Sequence, residues 1–165
     1  MVASIVRPAA FGLAAAFACA LAAPASAQTT MARKDLSLDG ALTIATQTIA
    51  TCKQNGWAVS VTVVGRNGEI LVQLRGDGTG PHTMENSLKK AYTARTFRIA
   101  SGEMEKRLKD NPALGQVFLT NFTTSRGALP IKIGEDVVAA SGAPGGQRDE
   151  MCVQAGIDKV AAELK

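Results

Sequence analysis

The residues best suited to chemistry lie in one stretch, residues 76–97, GDGTGPHTMENSLKKAYTARTF. It holds the only histidine, His82, and the only tyrosine, Tyr92, of the 165-residue chain. An imidazole can bind a metal ion through a ring nitrogen or move a proton near neutral pH. Lys89, Lys90 and Arg95 supply positive charge behind it, with Arg75 just before the loop. Met84 and Met104 add softer side chains, as suited to filling a core as to binding a metal. His82 itself reads in two ways, as a ligand projecting from a glycine-rich loop or as a solvated loop residue. Tyr92 divides between a core residue with its hydroxyl at a polar edge and a second ligand. The lysine pair divides between a solvated face and an anion-binding one.

Several chemistries have no matching pattern. A single histidine removes most metal-hydrolase constellations, and no cysteine or histidine pair has zinc spacing. No serine stands in a nucleophile elbow, and residues 76–80 match neither a P-loop nor a dinucleotide fingerprint. A net charge of +4 and 4% aromatic residues argue against a nucleic-acid surface. Catalytic machinery is not visible.

The elements that must position the 76–97 stretch follow from periodicity. A helix starts after Ser37, with Leu38, Ala41, Leu42, Ala45, Ile49 and Cys52 on one apolar stripe, and ends at Asn55-Gly56. Val59, Val61 and Val63 alternate with Ser60 and Thr62 as a half-buried strand, and Asn67-Gly68 predicts a two-residue hairpin to a return strand at 70–74. Thr83 caps a helix over residues 84 to about 99, with Met84, Leu88, Ala91 and Tyr92 on one face. A short helix follows from Ser101 and stops at Asn111-Pro112. Leu114, Val117, Phe118, Leu119 and Phe122 mark residues 113–126 as packed without a clear period. A second hairpin spans 129–141, with Pro130 favouring a sheet edge. The loop at 142–146 leads to a last helix with Asp149 and Glu150 in its first turn and Val153, Ile157, Val160, Ala161 and Leu164 on its core face. Gly145-Gly146 there serves either a tight turn or an anion held on free amides. Helix, hairpin, helices, hairpin, helix predicts a two-layer α+β domain, an antiparallel sheet built from two hairpins with helices packed on it.

Residues 1–27 are expected to be a cleaved export signal: Arg7, an apolar run at 11–23, then Ala25-Ser26-Ala27. Residues 28–165 form the single domain, periplasmic or secreted, with no stable membrane insertion after cleavage. Cleavage removes Cys19 of the three cysteines, leaving Cys52 and Cys152 either for one disulfide, which an oxidising compartment favours, or as two buried free thiols. Their bonding requires the first and last helices to be neighbours on one face.

The segments VSVTVVGRNGEILVQLRGDGTG, KKAYTARTF and GALPIKIGEDVVAASGAPGGQRDEMCVQAGI, in that order, resemble the GlcG/HbpS family, to which the C-terminal domain of PduO is related. The resemblance runs from about residue 36 to the C-terminus. It implies a profilin-like fold, a homo-oligomer and haem binding, and it supports the Cys52–Cys152 pairing. Gly65, Ala128 and Ala139-Ala140 depart from the family pattern. Haem needs an iron ligand, an apolar slot and cations for its propionates. The expected function is therefore an exported haem-binding carrier, store or sensor, with haem in the groove between residues 76–83 and the following helix. His82 is the expected iron ligand, beside Thr83, Lys89, Tyr92 and Arg95. An accessory or catalytic protein acting on a small metabolite, or a scaffold without a small ligand, stands as the alternative.

Overall fold

In a computed structural model, the structure describes residues 30–113, 119–143 and 145–164. The expected export signal, and Leu114, Val117 and Phe118, lie outside the described residues. Residues 33–165 form one compact unit. Its elements in order are α1 (Leu38–Gln54), β1 (Val61–Val64), β2 (Ile70–Leu74), α2 (Thr83–Phe97), α3 (Ser101–Asp110), β3 (Ala128–Ile133), β4 (Asp136–Gly142) and α4 (Gln147–Val160).

Among the described residues the strands make one antiparallel sheet in the order β2-β1-β4-β3. Each hairpin brings its own pair, and β1 joins β4 in the middle. Pro130 falls on β3, an edge strand, where its missing N–H costs no ladder bond. The first turn differs from the two-residue expectation. Residues 65–69 form a longer connection, closed by the Gly65 N–H donating to the Glu69 carbonyl at 2.7 Å. Gly68 sits in it with φ 81°, and a Cβ there would lie 2.6 Å from the Tyr92 ring. The hairpin thus closes over the aromatic ring, and glycine answers both constraints.

Helices cover the sheet on both faces, adding a layer to the two expected. On one face α1 and α4 bury Ile44, Ala45 and Val153 against Val61, Val63, Ile131 and Val138. On the other, α2 places Ala91 and Ala94 against Val64 and Ala128. The Ser60/Thr62 alternation suggested a wet face, yet both side chains are fully buried. Their hydroxyls are satisfied within the protein. The Thr62 and Ser87 hydroxyls are 2.7 Å apart, Ser87 donates to the Met84 carbonyl, and Gln73 donates to Thr62. Since Ser87 spends its one proton on Met84, Thr62 is the donor to Ser87. Such a polar seam can be buried because every member has a partner.

The apolar stripe of α1 is also rotated from its expected position. Ala41, Ile44, Ala45, Thr48 and Cys52 face inward, while Leu38 and Leu42 are 65% and 43% exposed. The packing against α4 sets this. A Cβ on Gly156 would stand 2.6 Å from the Ile44 carbonyl oxygen and against the Thr48 hydroxyl, so the two helix backbones approach where the glycine leaves room. Cys52 and Cys152 are bonded across these helices with their Cα atoms 5.5 Å apart.

Candidate functional site

The α2 helix begins at a glycine loop whose inner side is filled. Ser60 Oγ lies 3.1 Å from Thr79 Oγ1 and 2.8 Å from Thr83 Oγ1, and both threonines donate onward to Gly76 and Gly80 carbonyls. Thr83 is therefore the first residue of the helix, turned into the core, rather than its cap. The expected groove between this loop and α2 is occupied by hydroxyls, which leaves the outer side for any ligand.

His82 takes the cap position and is exposed. Its imidazole has no hydrogen-bond partner among the described residues. Glu85, Lys89 and Tyr92 follow it along one flank of α2 at spacings of three and four. Lys89 is bound to Glu85 at 2.6 Å. Tyr92 is half-buried under Gly68. The ten residues from His82 to Tyr92 rise about 15 Å along a helix, so one iron cannot take both side chains. Arg95 lies a further turn away. Burial lowers its pKa, and the nearby Arg98 and Arg66 lower it further, against Asp35 and Glu69. The structure thus brings His82 and Lys89 onto one flank, turns Thr83 inward and sets Arg95 apart. Of the two methionines, Met104 is buried and Met84 half-buried.

Beside the loop, a cavity of about 380 Å³ is walled by Ile49, Trp57 and Val59, with Lys53 and Arg75 as cations. Gly76 and Asp77 also line it, so it touches the start of the same loop, but His82 is not among its lining residues.

The feature that sequence reasoning missed lies on the inner flank of α2. Its adjacency to Lys89 makes Lys90 look like half of a solvated or anion-facing pair. Its side chain is 3% exposed and stands 3.8 Å from Asp149, also 3% exposed. The Lys90 ammonium donates to the Ala143 carbonyl at 3.2 Å. Burial lowers the Lys90 pKa, opposed by the charges of Asp149 and Glu150. Burial likewise raises Asp149 to about 6, opposed by Lys90 and by the Gly146 backbone. Glu150 is pushed up by burial too, against the pull of Arg126 at 3.7 Å. Gly127, at φ 135°, makes the arrangement fit: a Cβ there would meet the Ala143 oxygen, Lys90 Nζ and Asp149 Oδ2 within 3.1 Å. The available signal was helical phase, since Lys90 falls between the buried Ser87, Ala91, Thr93 and Ala94, while Lys89 does not.

These features define a class: a small antiparallel sheet sheathed by helices, bonded by one disulfide, with an exposed histidine heading one helix and a buried ion pair behind it. The chain belongs to the HbpS-like family, described as haem degrading protein HbpS-like, which matches residues 36–158. It is 31% identical to a crystallised double mutant of HbpS from Streptomyces reticuli, covering 93% of this chain and 99% of that one at a TM-score of 0.76. An uncharacterised 15.0 kDa protein of Citrobacter freundii, from the dhaT-dhaS intergenic region, is 28% identical over 131 residues, 70% of this chain and 92% of that protein. The PduOC:heme complex shares the fold at a TM-score of 0.67 and 21% identity, covering 74% and 93% of the two chains.

Proposed function

We propose that the protein is an exported haem-binding protein, a carrier, store or sensor, that takes the iron on His82. The observation that carries this reading is the exposed imidazole at the head of α2, without a hydrogen-bond partner among the described residues, in a chain of the HbpS-like family. A structural neighbour solved as a haem complex supports the choice of ligand. The residues present suit the group in part. His82 is free to ligate, and the apolar wall of Ile49, Trp57 and Val59 beside Lys53 and Arg75 has the chemistry that a macrocycle edge and a propionate require. Bound haem would supply an iron centre; the chain's own residues hold and orient it. Lys89, tied to Glu85, is less available for a propionate than Lys53 or Arg75.

Export is supported by the signal-like residues 1–27 and by the Cys52–Cys152 bond, which belongs to an oxidising compartment. No helix among the described residues is long and apolar enough to cross a membrane. A homo-oligomer is supported by the exposed Leu38, Leu42 and Ile70 side chains, Ile70 lying on the edge strand β2.

The test is a haemin titration of the exported protein, followed by the Soret band in wild type and His82→Ala. A saturable shift lost or displaced in the variant is expected; no saturable shift in wild type would sink the haem reading. The family description favours a second reading, haem degradation. Loss of the Soret band with release of iron, on adding peroxide, or a reductant together with dioxygen, to the loaded protein, would distinguish degradation from storage.

A further inference from the structure

A polar cavity of about 440 Å³ opens between α2, α3, the segment before β3 and the loop before α4. Asn86, Lys90 and Arg126 line it, with Thr124, Ser125 and the Gly145–Gly146 backbone. We propose that it is a carboxylate-binding site, with the Lys90 ammonium as its anchor and Arg126 at its rim. The haem reading is not required for it.

The argument begins with unspent donors. An ammonium has three N–H groups. One goes to the Ala143 carbonyl, and Asp149 Oδ2 stands at 3.8 Å, within ion-pair range but beyond hydrogen-bond reach. Asp149 Oδ2 accordingly has no hydrogen-bond partner among the described residues, although its side chain is almost wholly buried. A buried ammonium so poorly matched by its counterion retains hydrogen-bonding capacity, and Lys90 is among the residues that line the cavity. The other lining groups suit a planar anion. Arg126 is partly exposed and paired only loosely with Glu150, at 3.7 Å, leaving its guanidinium able to turn toward a ligand. Asn86, Thr124 and Ser125 provide neutral side-chain donors, and the 14-residue α4, capped at Gly146, has its positive end toward the site.

The opposing charges set a condition. The charged groups around Lys90 are Asp149 and Glu150 from α4, Arg126 from the segment before β3, and Glu105 from α3. Glu105 also lines the cavity, but it is tied to Lys109 at 2.9 Å. Asp149 is the competitor for the Lys90 charge. It takes up a proton near pH 6, because burial disfavours its anion. A carboxylate ligand then gains the lysine without facing a second negative charge, so binding tightens as the pH falls from 8 toward 5.

The carboxylate could belong to a free small acid or to a propionate of haem, and the chemistry of the site is common to both. The experiment titrates folded protein with oxalate, and with the neutral isostere oxamide, by calorimetry at pH 5.5 and 8. Expected are saturable oxalate binding that is tighter at the lower pH, no oxamide binding, and at least a tenfold weakening in Arg126→Ala. Lys90→Met should abolish binding, and Arg126→Ala keeps the proposal testable if that variant does not fold. Absence of oxalate binding, equal binding of oxamide, or an Arg126→Ala variant that binds like wild type would overturn it. Haemin and its dimethyl ester distinguish the sources. Displacement of oxalate by haemin but not by the ester assigns the site to a propionate, whereas Soret-detected haemin binding that leaves oxalate in place assigns it to a free acid. Failure of the Soret titration with oxalate binding intact would discard haem and leave this site standing.

Discussion

At the scale of single residues, the Lys90–Asp149 pair has the largest predicted effects. Both groups are drawn toward their neutral forms by burial and toward their charged forms by each other. Removing one partner leaves the other buried without its counterion, a loss of about 3–5 kcal/mol in comparable sites. Lys90→Met and Asp149→Leu should each destabilise by that order in urea denaturation. The double variant should recover most of it, because an apolar pair of similar volume needs no counterion. A pH dependence follows from the raised pKa of Asp149. The folded state binds this proton more tightly than the unfolded chain, so the group's contribution is fully present below the ordinary aspartate range. It is lost as pH rises through about 6. The stability difference between wild type and Asp149→Asn, measured across pH 4–8, should change over that window and be flat above it. His82 was legible from composition alone, as the only imidazole, and the structure leaves it accessible. Lys90 was harder to read as a buried residue, since lysine is almost never fully buried and only its helical phase pointed inward.

At the scale of elements, the helices and strands stand in the order their apolar periods placed them, although His82 rather than Thr83 caps α2, and which face each presents was harder to read. Ser37 accepts from the Gly40 N–H at 3.1 Å, as the cap reading required. The inward face of α1 nevertheless depends on α4. A leucine at 38 or 42 satisfies an apolar pattern whether or not a partner covers it, and among the described residues neither is fully covered. Gly156 decides the issue by letting the backbones approach. Gly156→Val should therefore force α1 and α4 apart and destabilise the protein by roughly 1–3 kcal/mol, read as a lower urea midpoint with an unchanged slope. A wild-type midpoint in that variant would show that the contact can relax at little cost. On the other helix face, α2 packs through Ser87, Ala91, Thr93 and Ala94, small and hydroxyl-bearing residues that give little apolar signal. Of its expected apolar face, Met84, Leu88 and Tyr92 are only half-buried, and Ala91 alone is fully buried.

At the scale of the whole molecule, the disulfide ties the first helix to the last across a sequence separation of 100. The chain-entropy view values such a closure at about 4.7 kcal/mol. Reduction, or Cys52→Ser with Cys152→Ser, should lower the melting temperature by many degrees without changing the far-ultraviolet circular dichroism of the folded protein. An unchanged melting temperature would mean that the α1–α4 packing suffices alone. Taken by itself, the sequence determined the α+β class, the element order and the two hairpins, because period and turn residues are local properties; the Cys52–Cys152 pairing rested on cysteine count, an expected oxidising compartment and the family resemblance. Only the tertiary structure decided that the sheet is covered on both faces and that Ser60, Thr62 and Ser87 are buried. It also decided that Lys90 and Asp149, 59 positions apart, meet behind Gly127. Burial of a polar group depends on whether its partners arrive from distant parts of the chain, and a local pattern carries no record of that.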